Sequence, residues 1–181
     1  MAVWTEPAPG ADFETLAFRR PRVEDGPALW RLAREAGGLD VNSPYAYLLL
    51  GHLFADTCVL AEDGDGPAGF TSALLAPGRP ETLFVWQVAV HPDRRRRGLA
   101  GRMLRHLLGR PACAGVRSVE ATVTPANRAS RALFVRLAAE MGTSCRILPG
   151  FPRAVFPGGG HEPEMLVRVG PWRSRPAARG A

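Results

Sequence analysis

Three residues with a fixed spacing, Arg95, Gly98 and Ala100, stand between an apolar segment and an amphipathic one. The apolar segment is predicted to be a strand, and the amphipathic one repeats leucine and methionine at helical spacing. The first backbone N–H groups of a helix have no intrahelical partner, and the helix dipole is positive at that end. Small residues there let a ligand approach the backbone closely. The pattern therefore predicts a cradle for a diphosphate group at the start of a helix.

The arginines around this cradle have a second interpretation. All 23 basic residues are arginine, which together with 20 glycines and 17 prolines indicates a genome-wide composition bias rather than a functional selection. The net charge of +6 is therefore weak support for nucleic-acid binding. A nucleic-acid module would interleave aromatic residues with the arginines, and residues 91–110 contain none. A solvated basic turn is the simple alternative for the motif alone, and Arg94 and Arg97 fit it as exposed charges.

The elements that must position the cradle alternate along the chain. The predicted strands and helices follow the order β-α-α-β-β-β-α-β-α-β-β, with Thr82–Val90 as the strand before the cradle and Val116–Thr124 as the strand after its helix. This order predicts one mixed α/β domain over residues 15–171. Residues 1–14 and 172–181 lack periodicity, are rich in proline, alanine, glycine and arginine, and are predicted to be flexible ends.

The composition narrows the class of protein. With 46% hydrophobic and 22% charged residues, the chain has the balance of a soluble globular protein. No apolar run approaches the ~20 residues of a membrane span, and the N-terminus does not resemble a signal peptide. Three cysteines without a C-x-x-C pair favour a reducing cytoplasm over a disulfide scaffold, and no metal site is expected.

The cradle motif resembles that of the GCN5-related N-acetyltransferases, in which (Arg/Gln)-x-x-Gly-x-(Gly/Ala) follows a strand. The resemblance implies a mixed sheet that is splayed between two parallel strands and flanked by helices, with acetyl-coenzyme A as co-substrate. It implies coenzyme contacts from the end of the strand, from the cradle and from the start of the following helix. The implied residues are Val88, Ala89, Val90, Arg95, Arg96, Arg97, Gly98, Leu99, Ala100, Gly101, Asn127 and Ser130.

Four further segments resemble one branch of that family, the diaminobutyrate acetyltransferases of ectoine biosynthesis. They are LDVNSPYAYLLL (39–50), ETLFVWQVAV (81–90), VEATVTPANRASRALF (119–134) and HEPEMLVRVGP (161–171). The resemblance runs from about Phe18 to Pro171. It implies acetyl transfer to the 4-amino group of L-2,4-diaminobutyrate, for osmoprotection, in a cytoplasmic enzyme that forms a homodimer and binds neither nucleic acid nor membrane.

Such a substrate needs carboxylates for its amines and donors for its carboxylate. Acidic candidates are Asp40, Glu120, and Glu162 or Glu164, while Trp86 is a candidate wall for the aliphatic stem or an ammonium. Several candidates also have a structural explanation that needs no substrate. Asn42 and Ser43 could cap a helix, Trp86 could lie in the core, and His161 could be exposed on a loop. The candidate donors are Asn42, Ser43, Tyr45, Thr122 and His161.

The chemistry requires a base, because an alkyl ammonium has a pKa of about 10 and attacks only after losing a proton. Glu120 is the predicted base: it lies in mid-strand between apolar neighbours, where burial would raise its pKa. The resemblance implies a backbone N–H around Val88 or Ala89 as oxyanion donor. In one position this sequence differs from the family pattern that the resemblance implies: Phe134 stands where many members have a tyrosine that protonates the leaving thiolate.

Two other functions remain open from the sequence. The first is acetyl transfer to another amine, such as a polyamine, an aminoglycoside or a protein N-terminus; the acidic, donor-rich segment from Asp40 to Tyr45 favours a small ligand instead. The second is a non-enzymatic basic binding module, which the lack of aromatic residues in 91–110 disfavours.

Overall fold

The computed structural model describes residues 16–158 and 160–172. Both predicted flexible ends fall outside these ranges, except that Trp172, predicted to begin the C-terminal tail, is described. Its side chain is only 4% exposed and packs in the main core, and its backbone N–H donates to Arg117 O at 3.0 Å. The folded chain therefore continues one residue past the predicted domain boundary. No helix within the described ranges is long and apolar enough to cross a membrane.

Within the described residues, seven strands form one sheet in the order β1-β2-β3-β4-β5-β7-β6. The helices connect them along the chain in the predicted order. The strands are β1 (Ala17–Arg19), β2 (Val59–Asp63), β3 (Gly66–Ala76), β4 (Arg79–Val90), β5 (Ser118–Val123), β6 (Cys145–Phe151) and β7 (Glu164–Val169); the helices are α1 (Gly26–Ala36), α2 (Pro44–His52), α3 (Leu99–Leu108) and α4 (Arg128–Glu140).

Strands β4 and β5 are parallel neighbours, and they separate along their length. The pairing covers only Thr82–Phe84 on β4 and Ser118–Glu120 on β5, although both strands continue beyond it. A register shift between Ser72 and Ala73 of β3 leaves one residue of β4, Trp86, without an opposite partner. Such a bulge strengthens the local twist of a strand. The twist carries the C-terminal half of β4 away from β5 and opens a fork, as the splayed-sheet prediction requires.

Two cores cover the two faces of the sheet. On one face, α3 and α4 pack against β2, β3, β4, β5 and β7 through buried side chains such as Met103, Leu104 and Phe134. On the other face, α1 and α2 pack through Leu29 and Tyr47 against β2, β3 and β4. The fork thus lies in the middle of the sheet, between elements that are fixed on both faces.

Candidate active site

Two adjoining cavities lie at the fork between β4 and β5. A groove of about 790 Å3 runs from the end of α1 past the cradle to the start of α4. A pocket of about 370 Å3 continues from it between the fork, the α1–α2 loop and the β6–β7 loop. Both volumes are in the range of small-molecule sites. The cavities share the lining residues Gly38, Leu39, Val88, Thr124, Asn127 and Ser130, so a ligand in the groove can reach the pocket.

The predicted cradle forms one end of the groove. Gly98 precedes α3 in the left-handed conformation, with φ of 73°, and Arg96 has a φ of 61°. A Cβ added at Gly98 would meet no atom within 4 Å, so the space in front of this backbone is open. The first N–H groups of α3 therefore face a site that an anionic group can approach.

The arginines of the cradle loop differ in what they contact. Arg94 was predicted to be a solvated charge, but it forms two ion pairs. Its guanidinium contacts Oδ2 of Asp63, at the end of β2, at 2.7 Å and Oδ2 of Asp65, in the following turn, at 2.5 Å. Arg95 donates to two backbone carbonyls, those of Val90 and Ala36. Arg96 is exposed and lines the groove. Clamping by Arg94 and Arg95 fixes the loop from two sides.

Other predicted coenzyme residues divide between the groove and the core. Val90 and Ala100 line the groove, whereas Gly101 is not among its lining residues. Leu99 lines the groove, although its side chain is 3% exposed and belongs to the main core. Asn127 caps α4 by accepting from Ser130 N at 3.0 Å, and both residues line the two cavities. The cap occupies one of the first N–H groups of α4, that of Ser130.

The direction of the β4 backbone distinguishes Val88 from Ala89. Gln87 N donates to Ser72 Oγ of β3 at 3.2 Å, and His91 N donates to Ala68 O at 2.9 Å. Backbone groups of successive strand residues point to opposite sides. Ala89 therefore directs its N–H toward β3, while Val88 directs its N–H into the fork. The side chain of Ala89 is fully buried in the second core.

Asp40 and His161 meet across the pocket. His161 Nε2 lies 2.8 Å from Asp40 Oδ2, and the imidazole stacks on Phe156 with 4.0 Å between ring centroids. The hydrogen bond with Asp40 raises the pKa of His161 above its ordinary value. The backbone of Asp40 is held as well, because Gln87 Nε2 donates to its carbonyl at 2.8 Å. A carboxylate from the α1–α2 loop and an imidazole from the β6–β7 loop thus form one wall of the pocket.

Glu164, at the start of β7, supplies a second carboxylate to the pocket. Its Oε2 atom is buried without a hydrogen-bond partner. Burial raises the pKa of Glu164, against the lowering effects of His161 and of a hydrogen bond with Thr122. A buried carboxyl with an unsatisfied oxygen is costly unless a ligand completes it. Glu164 is therefore a pocket-lining carboxyl with one hydrogen-bonding position unfilled.

Glu120, the predicted base, does not occupy this position. It is 2% exposed and is not among the pocket residues. Arg79 contacts both of its oxygens, at 2.8 and 2.9 Å, and Arg168 Nε donates to Oε1 at 2.6 Å. These arginines, Arg79 first, lower the pKa of Glu120 despite its burial. The predicted rise in pKa is wrong, because two cations stabilise the charged form.

The remaining substrate candidates are only partly brought together. Asn42, Trp86 and Thr122 line the pocket, and Trp86 is 44% exposed rather than part of the core. Ser43 is the N-cap residue of α2, where its side chain makes no capping hydrogen bond. Ser43 and Tyr45 are not among the lining residues, and Tyr45 is 65% exposed.

A family model matches the part of the chain that contains the fork and the groove. The acetyltransferase (GNAT) family model matches residues 27–139, which include α1, the fork, the cradle and most of α4. The chain belongs to the GNAT acetyltransferase family. The match covers more than half of the chain.

Individual relatives within this family are similar over nearly the whole chain. The L-2,4-diaminobutyric acid acetyltransferase of Bordetella parapertussis is 49% identical over 160 residues, covering 88% of this chain and 86% of the relative. That of Shouchella clausii is 45% identical over 159 residues, covering 88% and 89%. Among solved structures, a similar one is the diaminobutyrate acetyltransferase of Paenibacillus lautus in complex with L-2,4-diaminobutyric acid and coenzyme A. Its TM-score is 0.85 at 46% identity, and the match covers 90% of this chain and 98% of that one.

Phe134 is the residue at which the sequence resemblance predicts a departure from a tyrosine found in many GNAT members. It is 2% exposed on α4 and lines the pocket with an aromatic ring that carries no hydroxyl. A phenylalanine cannot donate a proton. The pocket therefore offers an apolar wall at this position instead of a general acid.

Sequence reasoning did not assign Gln87, Phe151 and Phe156 to this GNAT pocket. Gln87 is 5% exposed and supports Asp40, while Phe151 and Phe156 line the pocket from β6 and the following loop. A signal existed for Gln87, since a polar amide inside an apolar strand needs a hydrogen-bond partner. The two phenylalanines lie in a segment rich in glycine and proline that carries no periodic signal.

Proposed function

We propose that this protein transfers the acetyl group of acetyl-coenzyme A to the 4-amino group of L-2,4-diaminobutyrate, a step of ectoine biosynthesis. One observation carries the proposal: two carboxylates, Asp40 and Glu164, belong to one pocket that opens into the cradle groove. The substrate has two ammonium groups and one carboxylate. A pocket with two acids, an imidazole and polar side chains matches all three charges.

Different pocket residues bind different groups of the substrate. Asp40 accepts from the 2-ammonium group, and His161, whose raised pKa favours its charged form, attracts the substrate carboxylate. Trp86, Phe151 and Phe156 enclose the short aliphatic stem. The distance between the ammonium groups thereby becomes part of the recognition.

Glu164 is the proposed base. Its unpartnered Oε2 offers a place for the 4-ammonium group, and its raised pKa makes it a better proton acceptor than an exposed carboxylate. Once Glu164 holds the proton, the amine lone pair attacks the thioester carbon. The carbonyl becomes an oxyanion, which the Val88 N–H in the fork stabilises.

Collapse of the tetrahedral intermediate breaks the carbon–sulfur bond and releases the thiolate. Phe134 provides no proton for this step. The nitrogen, which is positively charged after the attack, loses its second proton as the intermediate collapses, and solvent in the groove carries a proton to the thiolate. The proton on Glu164 passes to solvent, which restores the base. Proximity accounts for much of the rate.

A homodimer in the cytoplasm is the proposed state of the enzyme. Support comes from exposed apolar side chains on α4, on the edge strand β6 and in the loop after it: Val135, Ile147, Phe151 and Val155 are each between 48% and 61% exposed. Cys58 and Cys145 are free thiols, which fits a reducing compartment. Light scattering of the purified protein would give the mass of the assembly.

An acceptor panel tests the function. Purified protein and acetyl-coenzyme A are incubated with L-2,4-diaminobutyrate, L-ornithine and putrescine, and coenzyme A release is followed by thiol titration. We expect the highest kcat/KM for diaminobutyrate, because an analogue that lacks a charged group leaves pocket residues unpaired. NMR of the product should show acetylation at N4. Equal turnover of putrescine would reject the substrate and keep the acetyltransferase class.

A further inference from the structure

Arg95 connects the cradle to the segment that carries Asp40. Its Nη2 atom donates to the carbonyl of Ala36, the last residue of α1, and its Nε donates to Val90 O at 3.3 Å. The last carbonyls of a helix have no intrahelical partner, so a side chain that reaches one fixes the end of the helix. The guanidinium therefore joins the cradle loop, the end of β4 and the end of α1.

The segment that follows Ala36 forms a short span between two hydrogen bonds. At one end Arg95 holds Ala36, and at the other Gln87 Nε2 holds the Asp40 carbonyl at 2.8 Å. Gly37 and Gly38, between them, have φ values of 59° and 68° and line the groove. Glycine makes such a span adaptable, so its geometry depends on its two anchors.

We propose that Arg95 is a positioning residue that couples acetyl-coenzyme A binding to diaminobutyrate binding. This inference rests on the proposed function and adds a connection between its two sites. A diphosphate on the cradle fixes the backbone from Arg95 to Gly98. The fixed loop aims the guanidinium at the Ala36 carbonyl, and the span then holds the Asp40 carboxylate where the 2-ammonium group binds.

The backbone of the loop explains why the coenzyme changes it. Arg96 is a non-glycine residue in the left-handed region, with φ of 61°, a conformation that bears strain. Hydrogen bonds from the loop to a bound anion offset that strain, and without them the loop is freer to relax. The coupling is reciprocal, so bound diaminobutyrate strengthens coenzyme binding by the same factor.

Arg94 provides a matched control. It lies one residue away, carries the same charge and also clamps the loop, but toward Asp63 and Asp65 on the β2–β3 turn. Arg94→Met and Arg95→Met remove equal charge near the coenzyme phosphates. Only Arg95→Met removes the contact with Ala36.

The experiment measures the dissociation constant of diaminobutyrate by calorimetry, with and without saturating coenzyme A, which cannot react. For the wild type we expect coenzyme A to tighten diaminobutyrate binding by about 5- to 150-fold, the usual range of coupling between sites. Arg95→Met should reduce this ratio to within about twofold of one. Arg94→Met should weaken coenzyme A binding and keep the wild-type ratio. Thermal melting confirms that each variant is folded, and Arg95→Gln replaces Arg95→Met if the latter does not fold.

Three outcomes would overturn the coupling: a wild-type ratio of one, a wild-type ratio in the Arg95 variant, or an equal loss in both variants. The third would show that loop charge, and not the Ala36 contact, controls the effect. A wild type that does not acetylate diaminobutyrate rejects the proposed function instead. A wild type that acetylates it without coupling rejects this inference alone.

Discussion

His161 Nε2 lies 2.8 Å from Asp40 Oδ2, although 121 positions separate the two residues along the chain. The α1–α2 loop supplies the carboxylate and the β6–β7 loop supplies the imidazole. Since a substrate ammonium would bind to the same carboxylate, this ion pair is the contact that diaminobutyrate must rearrange.

The Asp40–His161 pair predicts a pH effect. The pKa of His161 is raised by Asp40, so the pair is fully formed below the ordinary pKa of about 6.5 and is lost as pH rises through the raised value. Asp40→Asn should return the His161 pKa toward its ordinary value, as measured by NMR titration. The same variant should raise KM for diaminobutyrate about tenfold or more, because a charged hydrogen bond is lost. If the pKa of His161 were unchanged in Asp40→Asn, the two side chains would not form this hydrogen bond in solution.

Glu164→Gln tests the base. We expect kcat to fall about 10²- to 10⁴-fold at neutral pH and to recover as pH approaches the pKa of the amine. Glu162→Gln is the control, because Glu162 is exposed and its carboxylate does not line the pocket. A variant of Glu164 that changes KM alone would make this residue a counter-ion for the substrate, and the base would have to lie elsewhere.

Glu120→Gln should act on stability more than on chemistry. The neutral amide leaves Arg79 and Arg168 without their shared carboxylate. We expect this loss to cost about 1–3 kcal/mol of unfolding free energy. The cost is smaller than for a fully buried ion pair because both arginines reach solvent. The pKa of Glu120 is lowered, so its contribution is present above the ordinary value of 4.5 and is lost as pH falls through the lowered one. Urea unfolding from pH 3 to 7 measures this. If kcat instead fell with recovery at alkaline pH, Glu120 would be the base after all.

Gly98→Ala tests the cradle, with Gly78→Ala as its matched control. Both glycines have nearly the same φ, 73° and 74°, and a Cβ at either would meet no atom within 4 Å. Each variant should therefore lose about 1–2 kcal/mol from backbone strain. Only Gly98→Ala should raise KM for acetyl-coenzyme A, because Gly78 lies in the turn between β3 and β4. Equal KM values in the two variants would place the diphosphate elsewhere.

Local patterns were sufficient to predict the cradle and the elements around it. Arg95, Gly98 and Ala100 lie within six residues of one another, and the exposed N–H groups of a helix start are a property of that short segment. Strand alternation also correctly assigned Glu120 to the face opposite Val119 and Ala121, which pack in the main core. Asn127 capped its helix as its type predicts.

Tertiary structure decided what those residues do. Glu120 has a lowered pKa because Arg79 and Arg168, 41 and 48 positions away, converge on it across three strands. Glu164 has a raised pKa because the fold buries it where no such cation completes its Oε2. The sequence determined that Glu120 would be a buried carboxylate. Long-range strand pairing decides which carboxylate is neutralised by arginine and which is left for the substrate. The reason is that the electrostatic environment of a buried charge is set by neighbours in space rather than along the chain.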